Sequence, residues 1–100
     1  MTKDNIRGYI ALVHKDKDTS YGVSFPDVPG CISAGDTFEE AIANAGEALA
    51  GHLAMMRADG DAIPQPQTIE ALRDNADFVA DATDAVIAFV TPHSHQVTAA

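Results

Sequence analysis

A single cysteine, Cys31, is all the sulfhydryl chemistry this 100-residue chain has, and it contains no tryptophan. One thiol excludes an intrachain disulfide and a multi-cysteine zinc site, and it fits a reducing compartment. Cations are scarce: six Lys and Arg stand against fifteen Asp and Glu, for a formal net charge of -9. A field of that sign repels phosphate backbones and anionic membranes and speeds encounter with a basic partner. No basic start leads into an apolar stretch of signal-peptide length, and no run approaches the ~18 apolar residues of a membrane span, so a cytoplasmic protein is expected. A Gly-rich phosphate loop, a Cys/His finger and a basic aromatic patch are all missing. With two Tyr and four Phe, the 46% hydrophobic content rests on Ala, Ile, Val and Leu. Burial per side chain is then modest, and self-association is a way to supply missing core.

The length suits one domain, expected over residues 1–91, with 92–100 as a flexible C-terminal tail. Residues 6–14 read as a strand with Ile6, Ile10 and Leu12 on one face and Tyr9, Ala11 and Val13 on the other. Two apolar faces make it central. After a polar loop at 15–19, Tyr21, Val23 and Phe25 alternate with Gly22, Ser24 and Pro26 as a second strand, which ends at proline. Pro26-Asp27-Val28-Pro29-Gly30 is a turn, because two residues lack an amide donor and Gly30 tolerates positive φ. Cys31 to Ala34 has room for a short third strand.

Thr37 and Glu40 have capping-box spacing, and Glu39 adds a second acid in the first turn. Phe38, Ile42, Ala45, Leu49, Leu53 and Met56 then recur at helical spacing up to a stop at Gly60. Gly46 and Gly51 each cost this helix about 0.8–1 kcal/mol relative to Ala, which points either to close approach of another segment or to a tolerated weak helix. Pro64 and Pro66 stiffen a linker, Thr68 to Arg73 suit one or two helical turns, and the apolar run Ala85 to Val90 reads as a buried fourth strand ended by Pro92. The register of Asp74 to Asp84 is left open.

The expected architecture is α+β: a three-stranded antiparallel meander, one long helix, and a fourth strand parallel to the first, in the order 3-2-1-4. One helix covers one face of strand one. The other face, or a sheet edge, is expected to be a dimer contact unless the linker and the Phe78 region cover it.

No catalytic site assembles. Ribonuclease H-type two-metal chemistry needs carboxylates converging on ions ~3.5–4 Å apart, yet 6–13 and 85–91 contain no acid and Glu47 stands alone on the helix. His93-Ser94-His95 lacks a third metal ligand and is read as a frayed tail. His14 and His52 have no nucleophile tied to them. Cys31 lacks a cationic neighbour that would lower its pKa and is read as a small buried residue. No catalytic, cofactor-binding or metal-binding residue is therefore assigned, and no cofactor is expected.

The stretch Phe25-Pro26-Asp27-Val28-Pro29-Gly30-Cys31-Ile32-Ser33-Ala34-Gly35-Asp36-Thr37-Phe38-Glu39-Glu40, continuing to Leu49, resembles the HicB-like antitoxin family of bacteria, and the similarity extends over about residues 6–66. The resemblance implies a partial ribonuclease H-like domain and no enzyme activity. It implies a function as antitoxin of a type II toxin–antitoxin pair, which binds and occludes a small basic HicA-like mRNA interferase. It also implies a homodimer or higher oligomer. Family members commonly continue into an operator-binding segment; residues 91–100 carry no Lys or Arg, so direct DNA binding by this chain is not expected. On physical grounds Asp27, Asp36, Glu39 and Glu40 are the candidate toxin contacts, and Tyr9, Ala11 and Val13 the candidate self-association residues. The alternatives are a stand-alone homo-oligomeric domain without a toxin and a degenerate ribonuclease H-like nuclease.

Overall fold

The computed structural model describes residues 8–93. The elements are β1 (Tyr9–Lys15), β2 (Tyr21–Ser24), β3 (Ile32–Gly35), α1 (Phe38–Ala58), α2 (Ile69–Leu72), α3 (Ala76–Ala82) and β4 (Val86–Val90). They form one four-stranded sheet in the order β3-β2-β1-β4, as expected. Every neighbouring pair is antiparallel.

Local chemistry sets the ends of α1. Thr37 Oγ1 accepts from the Glu40 amide at 3.0 Å. The Glu40 carboxylate reaches one residue beyond the cap, accepting from the Asp36 amide at 2.8 Å. One of the helix's orphan donors, and the amide just before the cap, are thus served by the expected pair of side chains. At the other end Gly60 takes φ +80°. Its amide bonds to Arg57 O at 3.1 Å and that of Asp61 to Met56 O at 2.9 Å, the double closure of a Schellman motif. Thr37→Ala is expected to cost about 1 kcal/mol, read as a lower urea midpoint at unchanged m-value.

β1 has two apolar faces, and the structure covers both. Tyr9, Ala11 and Val13 lie under α1, in a core with Val23, Phe25, Val28, Ala41, Ala45, Leu49, Leu53 and Val90. On the opposite face Leu12 packs with Leu72 and Phe78, flanked by Ile10, Ile69, Ala82 and Ala85. Expected as a self-association surface, Tyr9, Ala11 and Val13 are instead 3%, 0% and 3% exposed. The long helix chose their face because its small residues, Ala41, Ala45 and Gly46, let it approach closely there. The second face is closed by the Phe78 region.

The same two short helices correct the direction of β4. A single helical return would have laid it parallel to β1. After α1, however, the linker is held at the start of β1, where Tyr9 Oη donates to Pro64 O at 2.6 Å. α2 and α3 then climb the second face, until His14 at the far end of β1 donates from Nε2 to Asp81 O at 3.0 Å. β4 therefore enters from that far end, pairing Val86 with Val13 and Val90 with Tyr9. A second crossover has turned the chain once more.

β4 was expected to be buried, but its residues run exposed, exposed, half-buried, exposed, buried. It is an edge strand, and α1 lies mainly over β3 and β2. Gly46 accounts for one of the two helix glycines. His93 N donates to Gly46 O at 3.1 Å, and a side chain at position 46 would collide with the His93 ring and lie 3.0 Å from Thr91 O. Nothing approaches Gly51 within 4 Å, so it is a tolerated weak point. Residues 92 and 93 of the expected tail are therefore docked on α1. Residues 94–100 lie outside the described part, with Ser94 and His95 of the His93-Ser94-His95 motif among them.

Candidate functional site

Topology gathers acids at one end of the sheet. β1 ends there, the 16–20 turn lies there, β3 runs into α1 there, and α3 hands over to β4 there. Each connection contributes carboxylates: Asp16 and Asp18 from the turn, Asp36, Glu39 and Glu40 from the start of α1, Asp81 and Asp84 from the approach to β4. All seven are exposed. The nearby cations are Lys15 and Lys17, and Lys15 is partly engaged, its Nζ donating to Asp16 O at 3.0 Å and lying 5.6 Å from the centre of the Tyr21 ring.

The rim rests on a rigid base. Tyr21 and Phe38 meet edge to face with ring centroids 6.1 Å apart, tying the β1–β2 hairpin to the first turn of α1. Ser20 Oγ donates to Asp36 Oδ1 at 3.5 Å. Gly35 lets the backbone at Glu40 and Ala41 pass directly over β3. Asn44 donates from Nδ2 to Ala34 O at 2.9 Å, so the helix also covers part of the β3 edge.

Of the four acids named from sequence, three come together and one does not. Asp27 lies at the opposite end of the sheet. Its carboxylate accepts from the Gln67 amide at 2.7 Å and from Gln67 Nε2 at 2.6 Å, fastening the linker beneath β2. Glu40 has a structural duty as well, through its bond to the Asp36 amide. Asp36 and Glu39 are the members whose carboxylates accept no backbone hydrogen bond among those described. Asp81 and Asp84 were missed, since only the climb of α3 brings them to this end.

Two shallow surfaces adjoin the sheet. A groove of about 400 Å³ runs between α3 and β4, lined by Arg73, Phe78, Val79, Ala82, Thr83 and Ile87. A depression of about 290 Å³ lies on the open face of β2 and β3, beside His14, Gly22, Ser24 and Ile32. Cys31 borders neither: it is 3% exposed, and burial pushes its thiol pKa above the ordinary value, which keeps it protonated and unreactive at neutral pH. Among the described residues no three His, Cys, Asp or Glu side chains are placed to share a metal ion, and no helix is long and apolar enough to cross a membrane.

A family model described as the HicB-like antitoxin of bacterial toxin–antitoxin systems matches residues 9–98. The chain belongs to the HicB-like antitoxin family. That is a family of antitoxins and not of enzymes. The 14.9 kDa protein of the rep-hol intergenic region of Haemophilus phage HP1 is 47% identical over 62 residues, 62% of this chain and 46% of that one. This chain thus spans about half the length of the phage protein. The crystal structure of the Burkholderia pseudomallei antitoxin HicB superposes with a TM-score of 0.70 at 31% identity, covering 91% of this chain and 74% of that one. The HicB-like chain also matches a component of the HicA3 and HicB3 toxin–antitoxin complex, with a TM-score of 0.67 at 26% identity, covering 86% of this chain and 98% of that one.

Proposed function

We propose that the chain is the antitoxin of a type II pair, holding a small basic HicA-like mRNA interferase at its acidic rim and so occluding the toxin's active site. The observation that carries this reading is family membership together with a relative found in a HicA3–HicB3 complex. The rim supplies a physical reason: seven exposed carboxylates project from one end of the sheet, and a basic partner is steered to such a field and released from it by salt. Asp36 and Glu39 are the contacts of choice, and Asp81 and Asp84 extend the same surface. Asp27 serves the fold and is not a contact.

The experiment is co-purification with the product of an adjacent reading frame encoding a short basic protein, coupled to an RNA cleavage assay. The chain is expected to form a stable complex and silence cleavage. Asp36→Lys with Glu39→Lys is expected to weaken that complex about tenfold or more at low salt. The loss shrinks as salt rises, and the thermal melt stays within a few degrees of the parent. Full affinity in the double variant moves the docking surface off the rim. If no basic partner is found and the chain alone is oligomeric, the stand-alone domain is the better reading.

A further inference from the structure

Residues 61–84 cross the second face of β1 as a strap. Among them only Leu72 and Phe78 are buried, whereas α1 alone buries five residues. The remaining fastenings are single polar contacts. Near the start of the strap Tyr9 Oη donates to Pro64 O, and Gln67 donates to the Asp27 carboxylate. At its last turn His14 Nε2 donates to Asp81 O. Segments with so few buried apolar side chains lie at the low-stability end of a fold, and they open as a unit while the rest stays closed. Both ends of this strap stay tethered when it opens, one by α1 and the other by the pairing of β4 with β1.

The strap also carries charge to the rim. Asp81 is latched through its carbonyl while its carboxylate is exposed, and Asp84 follows three residues later, exposed as well. A carbonyl oxygen only accepts, so His14 Nε2 bears the proton and the latch is one oriented hydrogen bond. When the strap lifts off β1, two of the rim's seven carboxylates leave their place. The other five stay, because the 16–20 turn and the start of α1 belong to the part of the fold that remains closed.

We infer, on the reading that a basic partner meets the rim, that the strap is a conformational device coupled to that partner: rim occupancy holds the strap down, and strap docking completes the rim. The coupling is linkage. A polycation that reaches Asp81 and Asp84 only in the docked form binds that form more tightly, and by the same factor it favours docking. Two exposed charge contacts set the factor at about threefold to fivefold at low salt. The latch at His14 and the ring of Phe78 set where the equilibrium stands without a partner.

Amide hydrogen exchange of the full chain at low salt, with and without a decalysine peptide, tests the coupling before any toxin is in hand. Decalysine is expected to slow exchange about threefold to fivefold at Leu72, Arg73 and Val79, whose amides bond within the strap, and to leave α1 unchanged. His14→Ala is expected to speed exchange at the same amides about fivefold, the effect of losing one ordinary hydrogen bond. His14→Gln, which keeps an N–H donor, is expected to recover part of that loss. Reciprocity supplies the second arm. Phe78→Ala, with a melt to establish that it is folded, is expected to bind decalysine about threefold to fivefold more weakly, as the open strap requires. In a background of Asp81→Asn with Asp84→Asn, decalysine is expected to give the strap no protection, and Phe78→Ala no further loss of binding. Decalysine that fails to bind, that binds without slowing strap exchange, or that protects the strap equally in the Asp81→Asn, Asp84→Asn background overturns the inference. A strap that decalysine protects, in a chain that binds and silences no basic ribonuclease, sustains the coupling and removes the antitoxin reading.

Discussion

Gly35→Ala is expected to lower the unfolding free energy by about 3 kcal/mol, the upper part of the range for forcing a methyl group into packed structure. The added Cβ would collide with the Ala41 amide and lie 2.7 Å from Ala41 Cα and 2.8 Å from the Glu40 carbonyl carbon. These are backbone atoms of the first turn of α1, held by the Thr37 and Glu40 caps, so no flexible side chain can swing away. Relief requires lifting the helix start off β3, and Asp36 and Glu39 move with it. Urea unfolding reads the loss as a lower midpoint, and affinity for the proposed basic partner is expected to fall with it. Gly51→Ala is the matched control. With open space around it, the alanine gains helix propensity and is expected to stabilise by about 0.8–1 kcal/mol. Equal effects at the two positions would show that α1 does not sit on Gly35 as closely as described.

Phe78→Ala is expected to cost about 3–5 kcal/mol, a large part of the 5–15 kcal/mol that holds a domain of this kind. α2 has four residues and α3 has seven, too few to persist as helices on their own in water. Their attachment rests on Leu72 and Phe78, the two buried side chains they bring to Leu12. Without the ring, the second face of β1 is wetted and both helices lose their anchor. Amide hydrogen exchange is the sharper test: protection at 69–82 should collapse further than protection in β1 and α1. A loss spread evenly over all elements, or smaller than about 1 kcal/mol, would mean that the second face is held by something other than this ring.

What could be read from sequence followed the strength of local signals. The meander, the capped start of α1, its stop at Gly60 and the central place of β1 all come from residues close together in the chain, and the structure has each of them. The direction of β4 turned on α3, whose buried contribution is Phe78 among Asp74, Asp77, Asp81 and Asp84. A single anchoring ring in an acidic segment gives almost no helical periodicity. The apolar run Ala85 to Val90 could not reveal whether it was central or marginal, because continuous hydrophobicity marks both a buried strand and a bare edge. Asp27 looked like its fellow acids; what distinguishes it is Gln67, 40 positions away. The rim was half legible for the same reason, since Asp36, Glu39 and Glu40 are neighbours in sequence while Asp81 and Asp84 reach them through the fold.

The placing of β4 beside β1 also sets an order of events during synthesis. β1, β2, β3 and α1 occupy a continuous stretch and can assemble as soon as it emerges, but Val13 must wait for Val86 and Tyr9 for Val90. At roughly 5–20 residues per second the wait lasts several seconds. Throughout it the nascent chain carries an unpaired inner strand edge, with Leu12 uncovered on one face. The last quarter of the polypeptide is thus the part that shields the first strand from other chains, and ribosome stalling before β4 should leave an aggregation-prone intermediate.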